Sequence, residues 1–287
     1  MPSEPALGRY TVAPIWSRPR ARSIMRSQLL LGEPVDVLED FGEYARISFD
    51  GGRAEGFVSR DQLLPVSPAL HAAQTTHPAY ALELFGMLLG DSFGMPVTFG
   101  ARLPAYDGLQ LHHDGRRFLY SGQAVLAADL TRDAALLLRL GRKWLYVPEL
   151  PGGRTPTGIG NAELIQLLIG LLGVDLPRTV APMSTGGTPV DFVEQCQSGD
   201  LAFFDDGRGG IRHVGILLPG SQVLHVYGRV RVDAVDHYGV FNRETGRYTH
   251  RLRIVRRFLP DTAPAGQIRL DDRFAEGPKD SQQILIF

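Results

Sequence analysis

Between residues 10 and 66, apolar and polar positions alternate in short runs broken by turn residues, as in GEPVDVLEDFGEYARISFDGGRAEGFV. A period of two puts alternate side chains on one face, so this segment predicts β-strands around one core. Val35, Val37 and Leu38 mark one strand, and Ala45, Ile47 and Phe49 the next. Asp50-Gly51-Gly52 then signals a hairpin, because tight turns need a positive φ that glycine supplies freely. Gly56-Phe57-Val58 begins a closing strand. About five short strands in this span predict a small barrel over residues 1–66. Residues 67–79 (SPALHAAQTTHPA) read as a linker by composition. The alternation resumes over residues 80–128, with turns at Asp107-Gly108 and Asp114-Gly115. Similar length and rhythm predict a second barrel related to the first.

The period then changes. LTRDAALLLRLGRKWL, residues 130–145, has helical spacing, and Thr131 is a suitable N-cap. The loop at Gly152-Gly153 leads to a nearly all-apolar helix over residues 161–172, which Gly173 and Pro177 end. From residue 199 onward strands return: DLAFFDD, HVGILLP, QVLHVYG, RVRVDAV and HRLRIVRRF. Helices followed by antiparallel strands predict an α+β domain over residues 129–260. The tail, residues 261–287, is polar and carries no element assignment.

Composition narrows the classes. Hydrophobic residues make up 44% and charged residues 21%, which places the chain among ordinary folded proteins and not disordered ones. A net charge of -1 with no basic run argues against nucleic acid as a partner. The longest apolar run, residues 164–172, is well short of the ~20 residues that span a membrane. One cysteine, Cys196, cannot form an internal disulfide. The start, MPSEPALGRYTVAP, lacks the basic and apolar regions of a secretory leader. It predicts a cytoplasmic protein, or a periplasmic or cell-wall-associated one if a leader has been removed.

Three polar signals then stand in order: Asn161 at a helix start, His213 in RHVGI and His225 in VLHV. A helix N-terminus favours a thiolate through its unpaired N–H groups and dipole. Two histidines on neighbouring strands can serve as a base and as the group that orients it. The arrangement is that of a cysteine peptidase, with a carboxamide where the thiol belongs.

Residues 130–259 resemble the NlpC family of cell-wall cysteine peptidases. The resemblance rests on Gly152-Gly153-Arg154-Thr155-Pro156, Gly158, Leu164, Gln166, Leu176-Pro177-Arg178, Gly199-Asp200-Leu201, Phe203-Phe204, His213-Val214-Gly215-Ile216 and His225. It implies a papain-like α+β domain with an antiparallel sheet behind two bacterial SH3-like barrels. It also implies γ-D-glutamyl–diamino acid endopeptidase ancestry, with no cofactor and no metal. In that pattern the family's Asp, Cys, Ser and Gly fall on Gly160, Asn161, Ala162 and Glu163, and its Tyr and Trp on Glu149 and Pro151. The nucleophile position is therefore Asn161, with His213 and His225 in the other catalytic positions. Glu149, Pro151, Arg154, Gly160, Ala162, Glu163 and Arg178 are candidate ligand-binding positions around it.

Each residue also has a plainer reading. Asn161 suits an N-cap. Arg154 and Arg178 can pack loops, Glu163 can be a solvated carboxylate, and His112-His113 can be a solvated turn. His213 and His225 can be hydrogen-bonded core groups or ligand contacts. A metal on them lacks a third ligand at a recognisable spacing. Three functions follow. One is a catalytically silent homologue that binds a peptidoglycan stem peptide or a protein partner. Another is an active hydrolase using Cys196 or a water positioned by His213. The last is an interaction module with a plugged pocket.

Overall fold

The structure, a computed structural model, describes residues 3–191, 195–205, 207 and 209–260. The tail assigned to residues 261–287 lies outside the described residues.

Strands β1 (Glu4–Gly8), β2 (Val12–Trp16), β3 (Met25–Leu30), β4 (Pro34–Phe41), β5 (Tyr44–Phe49), β6 (Ala54–Ser59) and β7 (Leu63–Pro65) form the first unit. They make one antiparallel sheet in the order β3-β2-β6-β5-β4-β1-β7 around Ile15, Leu29, Val35, Ile47 and Val58. The stretch read as a linker contains a helix, α1 (Pro68–Thr76). Ser67 caps it by accepting from the Leu70 N–H, and Pro68 sits at its start, where a missing N–H costs nothing.

The second unit differs from the first. Strands β8 (Ala79–Ala81), β9 (Phe85–Leu89), β10 (Gly94–Thr98), β11 (Gln110–His113), β12 (Arg116–Tyr120) and β13 (Ala124–Leu126) divide into a four-stranded sheet, β10-β9-β12-β11, and a ribbon of β13 and β8. At Asp114-Gly115, φ values of 52° and 70° make the tight turn between β11 and β12. The neighbouring His113 is buried, not solvated, and its Nε2 lies 2.7 Å from the Arg9 carbonyl of the first unit.

In the third unit, α2 (Ala134–Arg142) is shorter than its apolar pattern predicts. Its cap is Asp133, which accepts from the Ala135 N–H at 2.9 Å, and not Thr131. Next come β14 (Arg154–Thr155), β15 (Gly158–Ile159), α3 (Asn161–Leu171), α4 (Val180–Met183) and β16 (Thr188–Val190). The remaining strands are β17 (Leu201–Asp205), β18 (Ile211–Leu218), β19 (Gln222–Tyr227), β20 (Arg229–Val235), β21 (Gly239–Asn242) and β22 (Arg247–Arg257). Each of β17 to β21 pairs with the next, and β22 pairs with both β17 and β21. The antiparallel sheet therefore closes into a six-stranded barrel.

Alternation along these strands separates two cores. Phe203, Val214, Ile216, Leu224 and Val226 face outward onto α3, in a cluster that also holds Leu30 and Phe99 of the first two units. Ala202, Phe204, Leu217, Val223, Val235 and Val240 fill the barrel interior. Helix α3 is apolar almost all round because it is enclosed on nearly every side.

Candidate functional site

Helix α3 begins where the barrel ladder opens. The pairing of β18 with β19 covers Ile216–Leu224, Leu217–Val223 and Leu218–Gln222, then stops. The Asn161 carboxamide takes the next position on β18. Its Nδ2 donates to the Val214 carbonyl at 2.7 Å, and its Oδ1 accepts from the Val214 N–H at 2.9 Å. An amide side chain carries the same donor and acceptor as a peptide group, so it continues the ladder. This replaces the N-cap reading: the cap residue is Gly160, which has no side chain to offer, and both polar atoms of Asn161 are committed to β18.

Gly160 and Glu163 are coupled. Glu163 is buried, not solvated, and burial raises its carboxyl pKa. A β-carbon at Gly160 would lie 2.0 Å from Glu163 Oε2. Any side chain at 160 must displace that carboxylate. Gly160→Ala is expected to cost about 1–3 kcal/mol by overpacking. Glu163→Ala should relieve about 1 kcal/mol of that cost in the double variant, a coupling readable from four urea melts. Ala162 is buried beside them, whereas Pro151 and Glu149 are exposed on the rim. The Glu149 carboxylate accepts from the Gly228 N–H at 2.7 Å and ties the rim loop to the turn between β19 and β20.

Inside the mouth of the barrel lies a chain of imidazoles. His213 Nε2 is 2.8 Å from His225 Nδ1, and His225 Nε2 is 3.0 Å from Asp233 Oδ2. Arg231 holds the same carboxylate, with Nε 2.7 Å from Oδ2 and Nη2 donating to Oδ1 at 2.9 Å. Burial opposes the Asp233 charge, but the bonds from His225 and Arg231 outweigh it and keep this carboxyl below the usual range. His225 Nε2 thus faces the carboxylate, and its Nδ1 faces His213. His250, on β22, stacks on His213 with ring centroids 3.9 Å apart. Burial, then the neighbouring imidazoles, pushes His213 well below its ordinary value, and burial pulls His250 down to about 4. Both are neutral at pH 7. His250 has no motif and lies 25 positions beyond His225 in the chain. Only closure of the barrel by β22 brings it here, so a third imidazole joins the pair with no spacing signal in the sequence.

Arg154 and Arg178 are committed to internal partners. Both are buried and converge on Glu33 of the first unit, Arg154 at 2.7 Å through Nη1 and Arg178 through Nη2. Arg154 also donates to the Gln28 carbonyl at 2.9 Å and to Gln166 Oε1 at 3.1 Å. The Arg178 N–H donates to Asp50 Oδ2 at 3.1 Å. Burial works against the Glu33 charge, but the two guanidiniums overcome it and hold the carboxyl at about 2. Burial and the proximity of Arg154 bring Arg178 down to about 10. Glu33, Arg154 and Arg178 also line a cavity of about 460 Å³ between the first unit, α1 and α3; Asn161, His213, His225 and His250 are not part of its lining.

Cys196 is fully buried in the barrel interior with Phe204, Leu217 and Val223. It precedes β17, whose first residue pairs with Ile216, whereas His213 pairs with Phe204 near the other end. The Gly199 N–H donates to the Leu217 carbonyl at 2.9 Å, which fixes the Cys196 end of the barrel. Leu217 and His213 are four residues apart on β18, roughly 13 Å at about 3.3 Å per residue. Native protein is expected to resist iodoacetamide at Cys196 and to react once unfolded. Prompt native labelling would show the thiol to be accessible.

A model of the NlpC/P60 family matches residues 150–248, the span from the rim loop through the imidazole chain to the start of β22. The chain carries an NlpC/P60 family domain. Among proteins similar to this chain, the gamma-D-glutamyl-L-lysine dipeptidyl-peptidase of Bacillus subtilis (strain 168) is 28% identical over 216 residues. That match spans 71% of this chain and 72% of the relative. A Bacillus cereus protein of the same name is 30% identical over 91 residues, 31% of this chain and 27% of its own length. Among solved structures, an NlpC/P60 family protein from Bacillus cereus ATCC 10987 covers 89% of this chain and 100% of its own. Its TM-score is 0.75 at 19% identity, which shows a shared fold across all three units.

Proposed function

We propose that this NlpC/P60 protein is a catalytically silent relative of the peptidoglycan endopeptidases that binds a cell-wall stem peptide without cleaving it. The observation that carries this reading is the Asn161 carboxamide, both of whose polar atoms are taken up by the Val214 backbone. A thiolate peptidase needs a polarisable nucleophile aimed at its substrate. A carboxamide is a poor nucleophile, and this one is a rung of the sheet. Loss of the nucleophile from a comparable triad costs on the order of a million-fold in turnover.

Three further features support the same reading. Neutral His213 has no thiol to deprotonate. Cys196 is sealed at the far end of the barrel, so the relocated-nucleophile alternative has no geometric support. Glu163 covers Gly160, where the family pattern has an acid. The substrate class follows from the Bacillus relatives named for γ-D-glutamyl-L-lysine peptides. The two N-terminal units are read as SH3-like domains that shape the approach to this face.

Calorimetric titration with L-Ala-γ-D-Glu-diaminopimelate tests the binding half. The expected result is saturable heat with the peptide recovered intact. No heat at millimolar peptide would overturn the assigned ligand and leave a protein partner as the occupant.

A further inference from the structure

We propose that His213, His225 and His250 form a binding site for a divalent transition-metal ion, with zinc the ion their all-imidazole ligand set suits best. The proposal is independent of the silent-peptidase reading, since it concerns occupancy and not turnover.

Each of the three rings offers a nitrogen, and these atoms all lie within 4.8 Å of one another. Two nitrogens on one tetrahedral zinc stand about 3.3 Å apart, given bonds of about 2.0–2.1 Å. His213 Nε2 and His225 Nδ1 now face each other at 2.8 Å across a shared proton. Replacing that proton by a metal asks the pair to open by about half an ångström.

Orientation is already fixed at one ligand. The Asp233 carboxylate lies 3.0 Å from His225 Nε2 as its hydrogen-bond acceptor, leaving Nδ1 as the atom His225 can give a metal. A carboxylate behind a ligating imidazole sets its tautomer and raises its basicity. Asp233 is itself pinned by Arg231 at 2.7 Å, which lowers the field it contributes but fixes its geometry. His250 Nδ1 lies 3.0 Å from Thr249 Oγ1, so Nε2 is its available atom.

The ligands come from β18, β19 and β22, three strands of one closed barrel, so little chain entropy is lost on binding. His250 is only partly buried, with Tyr227 edge-on at 5.1 Å and itself exposed. It is the ring with room to turn out of its stack on His213, and this side is the route in. Three imidazoles leave a fourth position for water or a donor atom of a bound peptide.

The test uses the full chain without an affinity tag, stripped by chelator and titrated with Co(II). The expected result is one equivalent bound, with the intense visible bands of tetrahedral cobalt, and loss of those bands to one equivalent of Zn(II). Asp233→Asn should weaken binding about 10–100-fold, the usual effect of removing a carboxylate behind a ligating histidine. His250→Ala should weaken it at least as much, while His237→Ala, an exposed control, should leave it unchanged. Failure of the wild-type chain to take up an equivalent at micromolar metal would overturn the proposal, and this arm needs no variant to fold. Stoichiometric binding that survives His250→Ala would also overturn it.

Discussion

Asn161→Ala is expected to destabilise the protein by about 2–4 kcal/mol, although no helix cap is lost. The variant strips the partners from both the N–H and the carbonyl of Val214, a residue with no exposed surface. A buried polar group left unpaired costs about 1–3 kcal/mol, and here two are left together. Asn161→Cys should cost a similar amount, because a thiol cannot replace a two-point amide. Asn161→Asp is the most informative change. An acid in the first turn of a helix is normally favourable by a few tenths of a kcal/mol or more. Here the carboxylate would keep the bond from the Val214 N–H but set an anion against the Val214 carbonyl, so the predicted sign is reversed. Urea melts of the three variants, with hydrogen exchange at the Val214 amide, read this directly. An Asp variant at least as stable as wild type would mean that Asn161 is only a helix-start residue.

Glu33→Ala is expected to cost about 3–5 kcal/mol, the scale for removing one partner from a buried ion cluster. Its carboxylate pairs with two buried arginines from another unit of the fold, and without it the nearest remaining carboxylate is Asp50, 3.8 Å from Arg178 Nε. The loss should fall on the joint between the first unit and the NlpC/P60 domain. The same group sets an acid limb. Its folded value of about 2 lies below the ordinary 4.5. A depressed carboxyl contributes stability that is present above 4.5 and lost as pH falls toward 2. At about 1.4 kcal/mol per pH unit, that span is worth about 3 kcal/mol. Melting followed from pH 6 down to pH 2 should show the decline in wild type and a flatter limb in Glu33→Gln.

Much of this fold was legible because it follows local rules. The period of two located the strands from β17 to β20, the apolar run gave α3, and Gly173 with Pro177 gave its end. What escaped were features set by distant chain. Closure of the barrel depends on β21, a short strand without a distinct pattern, and on β22 pairing at both edges. His250 depends on that closure, so no spacing rule could have paired it with His213. The Glu33 cluster joins residues more than a hundred positions apart, and the sequence shows only an acid between glycine and proline. The role of Asn161 was hidden for a similar reason. Its residue type suits a cap, and only the divergence of β19 from β18 gives the amide a better partner. Two misses were readable after all. Ser67-Pro68 marks a helix start inside the supposed linker, and Asp133 is a stronger cap than Thr131.

The most direct test is a mass-spectrometric time course of purified protein with L-Ala-γ-D-Glu-diaminopimelate, run in parallel on wild type and Asn161→Ala. A carboxamide held as a rung of the sheet predicts intact peptide in both reactions after prolonged incubation. Cleavage by wild type at ordinary enzymatic rates, absent from Asn161→Ala, would contradict it.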